Sequence, residues 1–523
     1  MEPQTAAPAM MVFGIFIIVM IIIGIWAYWE THGFAEFALG GRRLNSLVTA
    51  LSAEASDMSG WLFLGLPGAV YAEGIGAIWI VVGLIIGTYL NWRFMAPRLR
   101  TYTELANNSV TLSAYLEERF EDRSGILRIL SATVTVVFFT LYVASGFVAG
   151  GLLFHQIFGV GFAFGLTVIA GVMVVYSLLG GFRAVSTTHV VQGTLMLVAA
   201  CVLPLVVIGH LDGLCALRQA IADKSPALLD MGAKAAFADG RWSAGGPLGF
   251  TGVSSLLAWG LGYFGQPHIL ARFMAVRSAH AIPVARRIGV SWVVLSLTGA
   301  SLVGLLGIAA LHPPVGDPET VFIELVKQSV DPWFAGVLFV AVLAAIKSTA
   351  DSQLLVTATS LTEDFFRAFR NRRASDATLV TVAHAAVLGV ALVAYVIALD
   401  GGTVLDIVAH AWAGFGAAFG PVLLLSLYWP RMTKAGATAG IVTGALTVAV
   451  WKHLDPLLGP FRTGVYEMVP GVLAATAAAL LFGTFVGRPP RRSWTGDAPG
   501  RAAADTDRHR ARPVRKRLRK HSG

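Results

Sequence analysis

The chain has 523 residues, 56% of them hydrophobic and only 13% charged, with a formal net charge of +9. Ordinary soluble domains carry about 25% charged residues, so the composition excludes a soluble globular protein and leaves an integral membrane one. Its two cysteines, Cys201 inside an apolar stretch and Cys215 outside it, argue against a structural disulfide and exclude a cysteine metal cluster.

A spanning helix needs about 20 mostly apolar residues. Stretches that qualify run over residues 9–30, 47–72, 75–97, 127–155, 160–180, 189–209, 250–271, 288–311, 333–360, 377–398, 404–428, 435–452 and 467–486, which predicts an all-α protein of about 13 transmembrane helices. The first lacks a small-residue cleavage site and is followed at once by polar residues, so it reads as a span and not as a signal peptide.

The second stretch contains Glu54 and Asp57 among Ser52, Ser56 and Ser59. A carboxylate at the bilayer centre costs at least about 2.5–3.5 kcal/mol, so such groups usually face a cavity and handle an ion, a proton or a substrate. The seventh holds Gly260, Gly262, Gly265 and Pro267 between Trp259 and His268, which predicts an interrupted helix. Breaks at membrane depth survive only where they line a cavity or are buried in protein. Two interrupted segments five spans apart point to inverted five-helix repeats with a site at the broken midpoints, although glycine-rich helices can also simply pack closely.

Lys and Arg concentrate in every second connection; the longest of the others, over about 211–247, has Arg218, Lys224, Lys234 and Arg241 balanced by Asp212, Asp223, Asp230 and Asp239. The basic ones carry Arg42 and Arg43; Arg93 to Arg128; Arg183; Arg272, Arg277, Arg286 and Arg287; Arg367 to Arg373; and Arg431 with Lys434. By the positive-inside rule this places the amino terminus outside and the carboxyl terminus in the cytoplasm. After Val486 come twelve Lys or Arg against three Asp, a balance equal to the whole formal charge of the chain. With Pro489, Pro490, Gly496, Pro499, Gly500 and Pro513 along it, this tail reads as disordered and drawn to anionic lipids. The rest is neutral, so the high net charge gives no support to nucleic-acid binding.

Three runs are more specific: Ser56-Asp57-Met58-Ser59-Gly60-Trp61 continuing to Ala69, Trp259 to Met274, and Ala411 to Pro421. With Ser360 to Asp364 and Ala285 to Ile288, they make the chain resemble the proline-carrying branch of the sodium/solute symporters over nearly all its length up to Val486. The resemblance implies a LeuT-like core of two inverted repeats with one helix before and two after. It divides the chain into 1–46 (first helix and linker), 47–210 (first repeat), 211–249 (extracellular loop), 250–430 (second repeat), 431–486 (last two helices) and 487–523 (tail). It implies import of L-proline by sodium symport through alternating access, with no enzymatic chemistry and no cofactor.

By the same resemblance, the carbonyls of Ala55, Met58 and Ala345 and the hydroxyls of Ser348 and Thr349 bind sodium, a hard cation that takes oxygen ligands. Asp57, Ser59, Gly60, Trp61, Tyr142, Trp259, Tyr263 and Pro267 then bind the substrate. Aromatic rings suit the proline ring and its ammonium, and free N–H groups at a helix break suit its carboxylate.

Four positions depart from that branch. Glu54 stands for glycine, His189 for aspartate, Lys347 for methionine and Asp351 for serine, all beside the ion-handling helices. An ammonium weakens a cation site unless neutralised. Asp351, one helical turn after Lys347, is in reach, and Glu54 is a second partner. Replacing an aspartate by His189 exchanges a cation ligand for a proton carrier. One reading has Lys347 in place of sodium with His189, Asp351 or Glu54 carrying a proton; the other has Lys347 neutralised and sodium still bound.

Glu363 and Asp364 are expected to cap their helix or pair with Arg367, Arg42 to gate the cytoplasmic exit or anchor the chain there, and His268 to be a hydrogen-bonded packing residue. The phosphate-binding loop GxxxxGK[ST] is absent, which argues against ATP drive. A transporter-like sensor is the competing class, but related sensors carry a soluble signalling domain after the spans.

Overall fold

The computed structural model describes residues 3–29, 33–211, 213–457, 459 and 463–490. The tail expected over 487–523 lies outside them except for its first four residues. Among the described residues ten helices are long and apolar enough to cross a membrane, and Phe162–Leu178 is a shorter one. The remaining two of the thirteen expected spans are the second and the seventh, and both break half-way.

The second span starts on Asn45, whose side chain accepts from the Val48 N–H at 2.9 Å, and runs as a helix over Ser46–Asp57. At Met58 ψ turns to 84°, the hydrogen-bond ladder stops, and after a 3-10 turn at Gly60–Leu62 the helix resumes over Gly65–Glu73. The seventh runs over Gly249–Leu257, loosens into 3-10 turns across Ala258–Gly265 and restarts at Pro267–Ala275. Proline suits the first turn of a helix because its missing N–H would be unpaired there anyway.

The glycines of the seventh span do both things the sequence left open. They mark the break, and they let backbones meet: a Cβ on Gly260 would run into the Gly83 carbonyl, one on Gly87 into Gly260, and one on Gly265 into the Phe415 carbonyl. The third span (Ile78–Leu90) and the eleventh (Val404–Tyr428) therefore clamp the break from two sides. The ninth, Pro332–Ser360, is buried along nearly its whole length.

Every basic connection meets another. Arg42 donates to the Met274 carbonyl at 2.7 Å, the Ser109 carbonyl at 2.8 Å and Thr103 Oγ1 at 3.1 Å. Leu44 exchanges backbone bonds with Ala275 and Arg277, and Gly40 lies against Phe182. Arg128 joins Glu117, Glu363 and Asp364, while Glu363 also pairs with Arg367 as expected. Lys434 reaches Asp122 at 2.7 Å. Burial works against the Asp122 charge, yet the bonds from Lys434, Ser124 and Leu127 hold its carboxyl below the ordinary value. The alternation read from the sequence thus corresponds to one arginine-bearing end.

The opposite end is closed by polar ties. Glu319 accepts from the Val404 and Leu405 N–H groups at 2.9 and 3.0 Å, capping the eleventh span, and Val315 N–H reaches the Tyr71 hydroxyl at 3.0 Å. Here the all-α expectation meets its exception. In the loop after the sixth span, Ala233–Ala238 pairs antiparallel with Arg241–Pro247, and Trp242 of this hairpin donates to the Tyr71 carbonyl at 2.7 Å.

Overfilling a close-packed contact costs about 1–3 kcal/mol. Gly260→Ala is therefore expected to lower the thermal unfolding midpoint of the purified protein, whereas Gly171→Ala, with open space at its Cβ position, leaves it unchanged.

Candidate functional site

The break in the second span is where the predicted ion ligands gather. Ser348 Oγ, on the ninth span, donates to the Ala55 carbonyl at 2.6 Å and lies 3.0 Å from the Ala345 carbonyl. Thr349 Oγ1 is 3.5 Å from the same Ala55 oxygen. Met58 is the fully buried residue at which the ladder stops. Carbonyl and hydroxyl oxygens are the donor set a hard monovalent cation prefers, and here two helices bring them to one point.

One residue before Met58 the second group begins. Asp57 Oδ2 accepts from the Tyr263 hydroxyl at 2.6 Å, a bond that joins the two helix breaks. Its Oδ1 is buried with no partner, and so is the Tyr142 hydroxyl of the fourth span. Trp61 donates to the Asp57 carbonyl at 3.3 Å, and its ring lies 6.3 Å from that of Trp259. Trp259 stacks on Tyr466 at 5.5 Å, Tyr263 meets Trp412 edge-on at 5.1 Å, and Trp412 donates to the Trp259 carbonyl at 2.7 Å. The side chains packed around the two breaks are aromatic, and the unpaired atoms among them are polar.

Gly60 and Pro267 have other duties. A Cβ on Gly60 would stand 2.7 Å from Ala149 Cβ and 3.0 Å from Ile346, so this glycine lets the break sit against the fourth and ninth spans. Pro267 faces a narrow cavity with Thr135, Met274, Val356 and Thr359. Ser59 is buried and accepts a long 3.5 Å bond from the Trp61 N–H.

His268 corrects an expectation: both ring nitrogens are buried without a hydrogen-bond partner, and the ring is held between Phe139 and Tyr142. Gln266 Oε1 is unpartnered too. A buried polar atom left unpaired costs about 1–3 kcal/mol, and four residues in this condition, Asp57, Tyr142, Gln266 and His268, lie around the two helix breaks.

Of the four departures, Glu54 accepts from Trp92 Nε1 at 2.8 Å and presses against Gly289. His189 places Nδ1 3.1 Å from Ser52 Oγ and leaves Nε2 unpartnered. Lys347 corrects the reading that put it in the sodium position. Its ammonium bonds none of the five proposed oxygens; it pairs with Asp351, not Glu54, and lies 3.0 Å above the Tyr176 ring centre of the fifth span.

Three residues were missed in the sequence. Trp412 and Tyr466 complete the aromatic wall, and only the first fell in a quoted motif. Arg272, counted there with a basic connection, is fully buried inside the helix Pro267–Ala275. It donates to Ser52 Oγ at 3.2 Å, Ser352 Oγ at 2.7 Å and the His268 carbonyl at 2.8 Å, locking the second, seventh and ninth spans together behind the ion oxygens.

Residues 37–444 match the Sodium:solute symporter family. The chain belongs to this family. It is 46% identical over 480 residues to the High-affinity proline transporter PutP of Bacillus subtilis, covering 91% of this chain and 98% of that protein. It is 45% identical over 518 residues to the Sodium/proline symporter of Escherichia coli, covering 98% of this chain and 99% of that one. Among solved structures, a Na+-coupled sialic acid symporter in a substrate-bound outward-open state superimposes with a TM-score of 0.76 at 16% identity, over 93% of this chain and 99% of that chain. MhsT in complex with L-phenylalanine gives 0.53 at 14% identity, over 84% and 98%. This member of the family is thus a multi-pass membrane protein with a LeuT-type fold and not an enzyme.

Tyr263→Phe removes the hydroxyl that joins the breaks and leaves Asp57 Oδ2 unpaired. The expected outcome is a lower ligand-free thermal midpoint, worth about 1–3 kcal/mol for an orphaned buried acceptor, with the helical content by circular dichroism unchanged.

Proposed function

We propose that the chain is a secondary active transporter that imports L-proline by sodium symport through alternating access. The observation that carries this reading is the single break of the second span, which offers Ala55 to the ion-binding hydroxyls and Asp57 to the substrate chamber two residues later. Filling either place changes the geometry offered at the other, and a coupling free energy between two sites is reciprocal. The names of the bacterial relatives supply proline and sodium as the two solutes.

In this reading Ala55, Met58, Ala345, Ser348 and Thr349 take the sodium ion. Trp61, Trp259 and Tyr263 enclose the proline ring, Asp57 and Tyr142 meet its polar end, and Ser59, Gly60 and Pro267 shape the break around it. The residues 47–210 and 250–430 act as the two inverted repeats. The arginine-bearing end faces the cytoplasm, the amino terminus lies outside, and Arg42 latches the inner exit. The basic tail meets anionic lipid on the cytoplasmic side.

Uptake of labelled L-proline into proteoliposomes tests the proposal. An inward sodium gradient is expected to drive accumulation and choline is not. Uptake driven by a pH gradient with no sodium present would overturn sodium symport in favour of proton coupling, with Glu54 and His189 as the carriers to examine. Ser348→Ala is expected to raise the half-saturating sodium concentration about tenfold or more, the equivalent of about 1.4 kcal/mol for one lost ligand, and to leave folding intact.

A further inference from the structure

The ion pair between Lys347 and Asp351 has no part in the sodium or proline sites, yet it is almost completely withdrawn from solvent, with side-chain exposures of 3% and 0%. Stability does not explain it, because replacing a buried ion pair with apolar residues is often neutral or favourable. Its surroundings are those of a cation site. Asp351 Oδ2 receives the ammonium, while Oδ1 accepts from Ser177 Oγ of the fifth span at 3.2 Å. The Tyr176 ring presents its electron-rich face 3.0 Å away and is fixed in that attitude by its own hydroxyl, which donates to Thr188 Oγ1 of the sixth span at 3.1 Å. Lys347 also borders an apolar cavity of about 280 Å³ lined by Phe16, Met20, Val172 and Leu343.

A carboxylate, an adjacent hydroxyl and a ring face are together able to hold a small monovalent cation. We propose that Asp351, Ser177 and the Tyr176 ring form a second cation site, between the fifth and ninth spans, which Lys347 fills with its own ammonium. The charge that occupies it is tethered and does not travel with substrate. Lys347 precedes Ser348 on the ninth span and so points about 100° round the helix from it, so the protein keeps one fixed positive charge beside the place where an exchangeable one binds. Neither the family assignment nor the proline reading is needed for this inference.

The test is made on purified full-length protein, with thermal stability titrated against sodium, potassium and choline chloride at constant ionic strength. Lys347→Met empties the site and leaves its carboxylate. Lys347→Gln does the same while keeping a donor for Asp351. Both variants are expected to show a saturating stabilisation by sodium or potassium, beyond any that the parent shows, as mass action requires of an ion bound only by the folded state. Lys347→Met/Asp351→Ser is expected to lose that extra response. In proteoliposomes the Hill coefficient for sodium in Lys347→Met is expected to rise from about one toward about two.

Identical salt responses in the single variants, the double variant and the parent would overturn the proposal. So would single variants that unfold in every salt while the double variant folds. A parent that shows no sodium-driven uptake defeats the proposed symport, and the stability titration still decides the second cation site on its own.

Discussion

A helix that stops inside a bilayer leaves backbone N–H and C=O groups with no water to bond, and they must find partners in the surrounding protein. Here the second and seventh spans both stop, and Asp57 and Tyr263 join the two interruptions through one 2.6 Å hydrogen bond. The glycines of the third and seventh spans bring backbone against backbone at the second interruption, and Trp412 takes up the carbonyl of Trp259. At the first, Ser348 takes up the carbonyl of Ala55. The groups that hold the breaks in place are therefore the groups available to an ion and a substrate.

Much of this was legible in the chain because lipid imposes simple rules. Spans appear as apolar runs of fixed length, breaks as Gly260, Gly262, Gly265 and Pro267 in one stretch, and the arginine-bearing end as an alternation of Arg and Lys in the connections. The ligand roles proposed for Ala55, Ser348 and Thr349 came only through family resemblance, since hydroxyls on membrane helices more commonly bond back to their own backbone. Ser348 does that too, toward Ala345, while also crossing to the second span.

What the sequence hid is mostly a matter of side-chain direction. Lys347 precedes Ser348, and adjacency in a helix means a turn of about 100°, enough to aim the ammonium at the fifth span while the hydroxyl faces the second. Arg272 was hidden for the opposite reason. Its place after the seventh break suggested a membrane-surface charge, but the restarted helix carries it inward, where two serine hydroxyls and a carbonyl receive it in place of a carboxylate. The hairpin over residues 233–247 was invisible because its sequence is short and rich in alanine and glycine; it is held from outside, by Trp242 on Tyr71.

Arg42 fastens three separate connections with one side chain, and each of its three bonds ends on an uncharged oxygen: Met274 O, Ser109 O and Thr103 Oγ1. A clasp made with carboxylates would weaken as ionic strength rose and their charges were screened. The oxygens that this one bonds carry no charge, so its hold is set largely by the shape of the loops it grips. Such a clasp depends on the placing of neutral oxygens more than on partner charges, so salt at the membrane surface weakens it less than it would an ion pair.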